Sequence, residues 1–186
     1  MKLSILICTL PQREVMFGEL RSTLMGQLFE LVDFKDQVEI RSASSIKMTT
    51  GALRNDLLKM AKGDFVVFID DDDDVDADYI KEILTVINAN PHIDCIGING
   101  VISFDGEKSK PWSISIKHGH WHETDEMYFR TPNHISPVRR SIALQAKFPD
   151  ISYGEDMEYS KRIFPMLKNE VCIEKPLYHY KFITVK

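Results

Sequence analysis

Cysteine is scarce in this sequence, at three residues, and the three are scattered: Cys8, Cys95 and Cys172. Each lies in an apolar, strand-like context. They read as buried thiols rather than a disulfide framework or a thiolate metal site, so a reducing, cytoplasmic setting is expected. Long hydrophobic runs are lacking too. No stretch approaches the roughly 18 apolar residues of a membrane-spanning helix, and Met1-Lys2 leads straight into a strand with no signal-peptide pattern. Basic charge is not in excess. The 23 Lys and Arg against 28 Asp and Glu leave a net charge of -5, which argues against a general affinity for nucleic-acid backbone. Internal repeats, low-complexity tracts and linkers are missing. What is present is 186 residues, 44% of them hydrophobic, which suits one soluble domain with a substantial core.

The acidic charge is concentrated at one place. Five consecutive aspartates, Asp70 to Asp74, follow directly on Phe65-Val66-Val67-Phe68-Ile69, and with Asp76 and Asp78 seven carboxylates fall within nine residues. Like charges packed so closely repel unless something positive sits among them. The apolar run reads as a fully buried strand of a parallel sheet. Carboxylates delivered at the C-terminal end of such a strand are at the usual place for an α/β site. Hard oxygen ligands at one point suit Mg²⁺ or Mn²⁺, with a bound diphosphate completing the shell. An EF-hand does not fit, because a loop starting at Asp70 has Val75 at its glycine position and Lys81 at its twelfth. Asp74, Asp76 and Asp78 read as solvated loop or helix-capping residues.

Along the chain, Leu3 to Thr9 is an apolar strand stopped by Leu10-Pro11. Phe17, Leu20, Leu24, Leu28 and Leu31 then recur at helical spacing. Val38 to Ala43 is a weaker strand, and Gly51 opens a helix carrying Leu53 and Leu57. After the buried strand and the aspartates comes a helix with Ile80, Ile83, Leu84 and Ile87, then a strand over Cys95 to Asn99. This alternation predicts an open, mainly parallel sheet with helices on both faces. Beyond Gly100, Val101 to Phe104 and Trp112 to Ile116 look like strands joined around Asp105-Gly106, and Ile135 to Val138 returns to strand character. Helices are expected over Arg139 to Lys147 and about Glu155 to Leu167, and strands over Val171 to Ile173 and Leu177 to Phe182. His118, His120 and His122 alternate, so on a strand they would share one face.

These motifs, in this order, resemble the GT-A glycosyltransferases of the family 2 type, over essentially the whole chain. Ser4-Ile5-Leu6-Ile7-Cys8-Thr9-Leu10-Pro11-Gln12-Arg13 looks like the first nucleotide-binding strand and loop, and Gly51-Ala52-Leu53-Arg54-Asn55 like the segment whose Arg-Asn pair approaches the nucleotide. Phe68-Ile69-Asp70-Asp71-Asp72 looks like the DxD metal site, and Gly154-Glu155-Asp156-Met157-Glu158-Tyr159 like the ED motif. The resemblance implies a three-layer α/β/α domain over residues 1–186. Residues 1–100 form the nucleotide-sugar half, and 101–186 form a small acceptor and catalytic-base half. It implies Mn²⁺ or Mg²⁺ on Asp72 and Asp70 with His179 completing the shell, the alternative register being Asp71 and Asp73. Thr9, Leu10, Arg13, Arg54, Asn55, Asp70 and Asp71 would bind the nucleotide. Asp156 would be the base, with Glu155 beside it, in a single inverting displacement from a UDP-sugar. His134 and Trp121 are candidates to line the acceptor site. The acceptor would be a glycan or another hydroxyl, a modified DNA base being the alternative. The family's acidic pair after the second strand is absent, leaving Glu39, Arg41 or the Ser42 to Ser45 loop to meet the base.

Two rival chemistries use strand-end acids and Mg²⁺. Asp71-Asp72-Asp73-Asp74-Val75 formally fits the motif of haloacid-dehalogenase-like phosphatases, which normally follows the first strand and here follows the third. A nucleotidyltransferase would carry a Gly-rich basic loop that Thr9 to Arg13 does not supply.

Overall fold

The computed structural model describes residues 1–183. Strand β1 (Leu3–Thr9) leads into helix α1 (Glu14–Glu30), then β2 (Val38–Ser44), α2 (Thr50–Met60), β3 (Phe65–Phe68) and a two-residue β4 (Asp74–Val75). Helix α3 (Tyr79–Ala89) is followed by β5 (Cys95–Phe104), β6 (Lys108–Ile114), β7 (His122–Glu123), β8 (Tyr128–Arg130) and β9 (Val138–Arg139). Helices α4 (Arg140–Ala146) and α5 (Glu155–Ile163) precede the final strand β10 (Glu170–Phe182). The described residues form one ten-stranded sheet with the path β2-β1-β3-β9-β5-β6-β8-β7, and β10 lies on the other side of β5.

Strand periodicity explains the layers. Leu3, Ile5 and Ile7 with Phe65, Val67 and Ile69 point to one face, against Leu20 and Leu24 of α1 and Ile80, Ile83, Leu84 and Ile87 of α3. Leu6, Val66 and Phe68 point to the other, against Leu57 and Leu58 of α2 and Phe148, Tyr159 and Ile163. With both faces covered, β3 is apolar at every step and β1 nearly so, the buried Ser4 being the polar exception, its hydroxyl bonded to Glu39 and the Gly63 N–H. The pairings β1 with β2, β1 with β3 and β5 with β10 are parallel, while β9 is inserted antiparallel between β3 and β5. The sheet is therefore mixed and mostly parallel, an α/β fold. Gln27 of α1 ties this layer together: its side chain donates to the Asp76 carbonyl and accepts from the Ile80 N–H.

The second half differs from the pattern reading in four places. Gly100 does not end a strand, because β5 runs on through it. The strand passes there so close to Trp112 and to the Tyr178 carbonyl that a Cβ would collide with both. The two expected C-terminal strands are one, β10, whose register shifts around Pro176. Ile135 to Val138 contributes only Val138 to a strand, and Ile116–His118 forms a 3-10 turn rather than the end of β6.

Candidate active site

The parallel arrangement puts the C-terminal ends of β1 and β3 at one edge. The Ile69 N–H still bonds the Leu6 carbonyl, and then the chain turns, with the Asp73 N–H donating to the Asp70 carbonyl at 3.2 Å. Within this turn each aspartate meets a different partner. Arg54 Nη2 donates to Asp70 Oδ1 at 2.8 Å, and His134 Nε2 lies 3.2 Å from Asp70 Oδ2. Burial works to raise the Asp70 pKa, but His134 and Arg54 outweigh it and hold the carboxyl below the usual range. Arg13 Nη1 reaches both Asp71 Oδ1 at 2.8 Å and Asp72 Oδ2 at 2.9 Å. Asp73 is turned inward. Tyr178 Oη donates to its Oδ2 at 2.6 Å and the Lys181 N–H to its Oδ1 at 2.9 Å. Burial, then the charge of Asp70, push Asp73 up to about 8.

The inward and outward members alternate. Asp71 is only 3% exposed, and its Oδ2 is buried without a partner among the described residues, whereas Asp72 is 28% exposed. Burial raises the Asp72 pKa against the pull of Arg13. Further along, Asp74 pairs with Lys181, and Lys175 pairs with both Asp76 and Asp78. Asp76 also accepts from the Asp78 N–H, an Asx turn that leads into α3, whose N-terminus has no side-chain cap.

Two clefts meet at this turn. One, of about 510 Å³, is lined by Thr9, Leu10, Arg13, Ser45, Ile46 and Met48 together with Asp70, Asp71 and Asp72. The other, of about 490 Å³, is lined by Trp112, Trp121, Tyr128, Arg130, His134, Glu155 and Asp156 with Asp70. Asp70, Ser152, Tyr153 and Tyr180 border both. Tyr153 is 93% exposed, directly before Gly154, whose φ of 76° suits the left-handed turn that starts α5.

Helix α5 brings the two adjacent acids into the second cleft with different surroundings. Glu155 is buried and lies 3.5 Å from Arg54 Nη1. Burial raises its pKa against the pull of Arg54. Asp156 is half-buried on the cleft wall, and among the described residues no donor is bonded to its carboxylate.

Several expected site residues sit elsewhere. Asn55 does not face a cleft: it makes a two-point clamp on the Phe148 backbone, at 2.9 Å to both its N–H and its carbonyl. One step along a helix rotates a side chain by about 100°, so Arg54 and Asn55 cannot share a target. Arg54, by contrast, lines the second cleft, 4% exposed beneath Asp70 and beside the rings of Phe68 and Phe148. His179 lies between Tyr178 and Tyr180 on β10, pairs in register with Asp74, and borders neither cleft. The same alternation that carries His179 away brings Tyr178 and Tyr180 to the site, and it is the signal that finds them. Glu39 is occupied by Ser4, Arg41 and the Lys62 N–H, away from the first cleft, which Ser45 does line. The three histidines do not alternate on one strand. His118 is in the 3-10 turn, Gly119 has φ of 73°, and His122 stacks on Phe129. Among the described residues no group of three or more His, Cys, Asp and Glu side chains forms a ready metal cage.

Comparison with known proteins agrees with this frame. The 1–349 portion of S. aureus TarS, solved in complex with UDP-GlcNAc, superposes with a TM-score of 0.70 at 18% identity, over 100% of this chain and 60% of that one. The same portion in complex with UDP gives 0.68 over 97% of this chain. At that identity the likeness is one of fold. In sequence, EpsH of Bacillus subtilis (strain 168), provisionally named a glycosyltransferase, is 26% identical over 144 residues, which is 70% of this chain and 41% of EpsH. This chain therefore spans less than two thirds of these relatives. No helix among the described residues is long and apolar enough to cross a membrane. A model of glycosyl transferase family 2 matches residues 29–150, from the end of α1 through the aspartate turn to the threshold of α5. Because that match takes in well over half of the sequence, the chain belongs to glycosyl transferase family 2.

Proposed function

We propose that this chain transfers a glycosyl group from a nucleotide-diphosphate sugar to an acceptor hydroxyl, with a divalent cation at the aspartate turn and Asp156 as general base. The observation that carries the reading is the meeting of two clefts at Asp70, the acids that follow β3 in one and Asp156, without a bonded donor among the described residues, in the other. A donor in the first and an acceptor in the second place the anomeric carbon where they join. Asp156 takes the proton of the acceptor hydroxyl, the oxygen bonds to the anomeric carbon, and the bond to the diphosphate breaks with its electron pair on the leaving oxygen. Donor and acceptor approaching from different clefts suit displacement with inversion. TarS, solved with UDP-GlcNAc and with UDP, supports a uridine diphosphate carrier. Trp112, Trp121 and Tyr128 give the second cleft the aromatic walls against which a sugar ring packs.

The donor set suits a hard cation. Asp72 uses only Oδ2 on Arg13 and stays part-exposed at the cleft, with Asp70 beside it. Mg²⁺ and similar ions are held by one or two carboxylates, with substrate phosphates and water completing the shell, so the lack of a full protein cage among the described residues is consistent with this role. When bound, the ion acts as a Lewis acid on the departing diphosphate. Arg54 and His134 hold the Asp70 carboxylate in one orientation, and Tyr178 and Asp73 hold the turn from behind.

Thermal melts with Mn²⁺ and a panel of nucleoside diphosphates test the donor side, and radiolabel transfer tests the chemistry. One nucleoside diphosphate is expected to raise the melting temperature only with the metal. Asp72→Asn abolishes that effect, while Asp156→Asn keeps it and loses transfer. Normal transfer by Asp156→Asn would refute the base assignment, and no stabilisation by any nucleoside diphosphate would refute the transferase reading.

A further inference from the structure

The strand-end acids are already partly neutralised by the chain's own cations, and those cations differ in freedom. Arg54 is buried between Asp70, Glu155 and two phenylalanine rings. Arg13 is 40% exposed on the 3-10 turn Pro11–Arg13 and reaches across the first cleft from the end of β1 to the end of β3. Among the described residues only its Nη1 is used, serving Asp71 and Asp72 together, so most of the five guanidinium N–H donors remain for another anion. Asp71 is 3% exposed with an unpartnered buried oxygen, whereas Asp72 lies on the cleft wall. The two ends of this bridge are therefore unequal: Asp71 is a fixed anchor and Asp72 a releasable one.

We infer that Arg13 is a resident counter-cation that a divalent ion displaces from Asp72, and that the freed guanidinium docks on the donor's diphosphate while staying anchored to Asp71. This rests on the donor and metal reading above and adds a coupling between the two ligands. A guanidinium and a divalent ion on one carboxylate repel each other in a cleft partly shielded from water, so without a further anion they compete. A diphosphate supplies that anion, in the paired-oxygen form a guanidinium binds best. Metal and nucleotide then each raise the affinity of the other, by the same factor.

The test is Mn²⁺ affinity, read from the free-ion electron paramagnetic resonance signal, for wild type, Arg13→Gln and Arg13→Lys, with and without saturating UDP. Circular dichroism checks that each variant is folded. Without UDP, Arg13→Gln is expected to bind Mn²⁺ about tenfold more tightly than wild type. Arg13→Lys, which keeps the charge but bridges poorly, falls between. UDP tightens Mn²⁺ binding by wild type by a factor within the roughly 5- to 150-fold usual for coupled sites, and that of Arg13→Gln by a smaller factor, because only the diphosphate's own ligation of the ion still couples the two. If Mn²⁺ and UDP both bind wild type but Arg13→Gln holds Mn²⁺ no more tightly alone, the counter-cation role is overturned and the donor reading stands. If UDP binds while no variant takes up Mn²⁺ in any state, the metal assignment falls and the inference with it.

Discussion

Replacing Arg54 by Met tests whether the buried guanidinium holds the site together. Methionine keeps an apolar stem between Phe68 and Phe148, so the main loss is charge. Asp70 loses its 2.8 Å partner and is left with His134, while Glu155 loses its cation at 3.5 Å. Breaking a buried pair from one side costs about 3–5 kcal/mol, because the remaining charge is stranded away from water. Against a total stability of roughly 5–15 kcal/mol this is a large fraction. With a urea dependence of about 2 kcal/mol per molar, it lowers the unfolding midpoint by about 2 M. The pH dependence adds a signature. In wild type the depressed Asp70 pKa gives stability that is present above the unfolded carboxylate value and lost as pH falls through the folded one. In Arg54→Met both Asp70 and Glu155 lose a cation that lowers their pKa, so each takes up its proton at a higher pH than in wild type and the penalty is relieved as pH falls. The deficit should therefore shrink from about pH 8 toward about pH 5. Adding Asp70→Asn should recover part of the loss, a coupling of about 1–3 kcal/mol. A midpoint shift below about 0.5 M, or parallel pH profiles for the two proteins, would refute the reasoning.

Gly100→Ala should destabilise by about 1–3 kcal/mol, because its methyl meets both the Trp112 ring and the Tyr178 carbonyl; an unchanged melting curve would mean that the strands part freely. Asp73, pushed up to about 8 mainly by burial, contributes stability that is fully present below the unfolded carboxylate pKa and lost as pH rises through about 8. Asp73→Asn should therefore flatten the fall in melting temperature between about pH 5 and pH 8, and an identical slope would count against that role. His179→Ala should leave Mn²⁺ affinity in the presence of UDP within about twofold of wild type, since His179 borders neither cleft; a tenfold loss would return it to the metal shell.

The parts of this structure that were legible in the sequence are those fixed by local pattern. Phe65 to Ile69 is apolar at every step, and Leu3 to Cys8 at every step but Ser4, because both sheet faces are covered, and the helices show their buried stripes directly. The aspartate run and the Glu155-Asp156 pair stood out by composition, and they fall on the two clefts that meet at Asp70. What was not legible depends on partners distant in the chain. Gly100 looks like a strand end, and only the approach of Trp112 and Tyr178 explains why a strand runs through it. Asn55 looks as polar as Arg54, and only the position of Phe148 shows that it clamps backbone. His179 attracted attention as a metal ligand, yet the register of β10 gives the site to its neighbours, where a shift of one residue exchanges the faces.

The same dependence on distant partners explains how seven carboxylates coexist in nine residues. The repulsion is not left to solvent. Asp70 goes to α2 through Arg54, Asp71 and Asp72 to the turn after β1 through Arg13, Asp73 to β10 through Tyr178 and the Lys181 N–H, Asp74 to the Lys181 ammonium, and Asp76 and Asp78 to Lys175. The run therefore consists of unlike positions. An exposed pair such as Lys181 with Asp74 contributes at most about 1 kcal/mol, while an acid in a buried hydrogen-bonded position leaves its partners stranded when it is removed, at about 1–3 kcal/mol. Substitution along the run should thus alternate between mild and severe, and severity should follow the depth of each partner rather than the order of the aspartates. Because those partners come from the turn after β1, from α2 and from β10, the aspartate turn is where the first, middle and last parts of the chain are joined. The donor cleft is consequently sensitive to residues as far along the sequence as Tyr178 and Lys181.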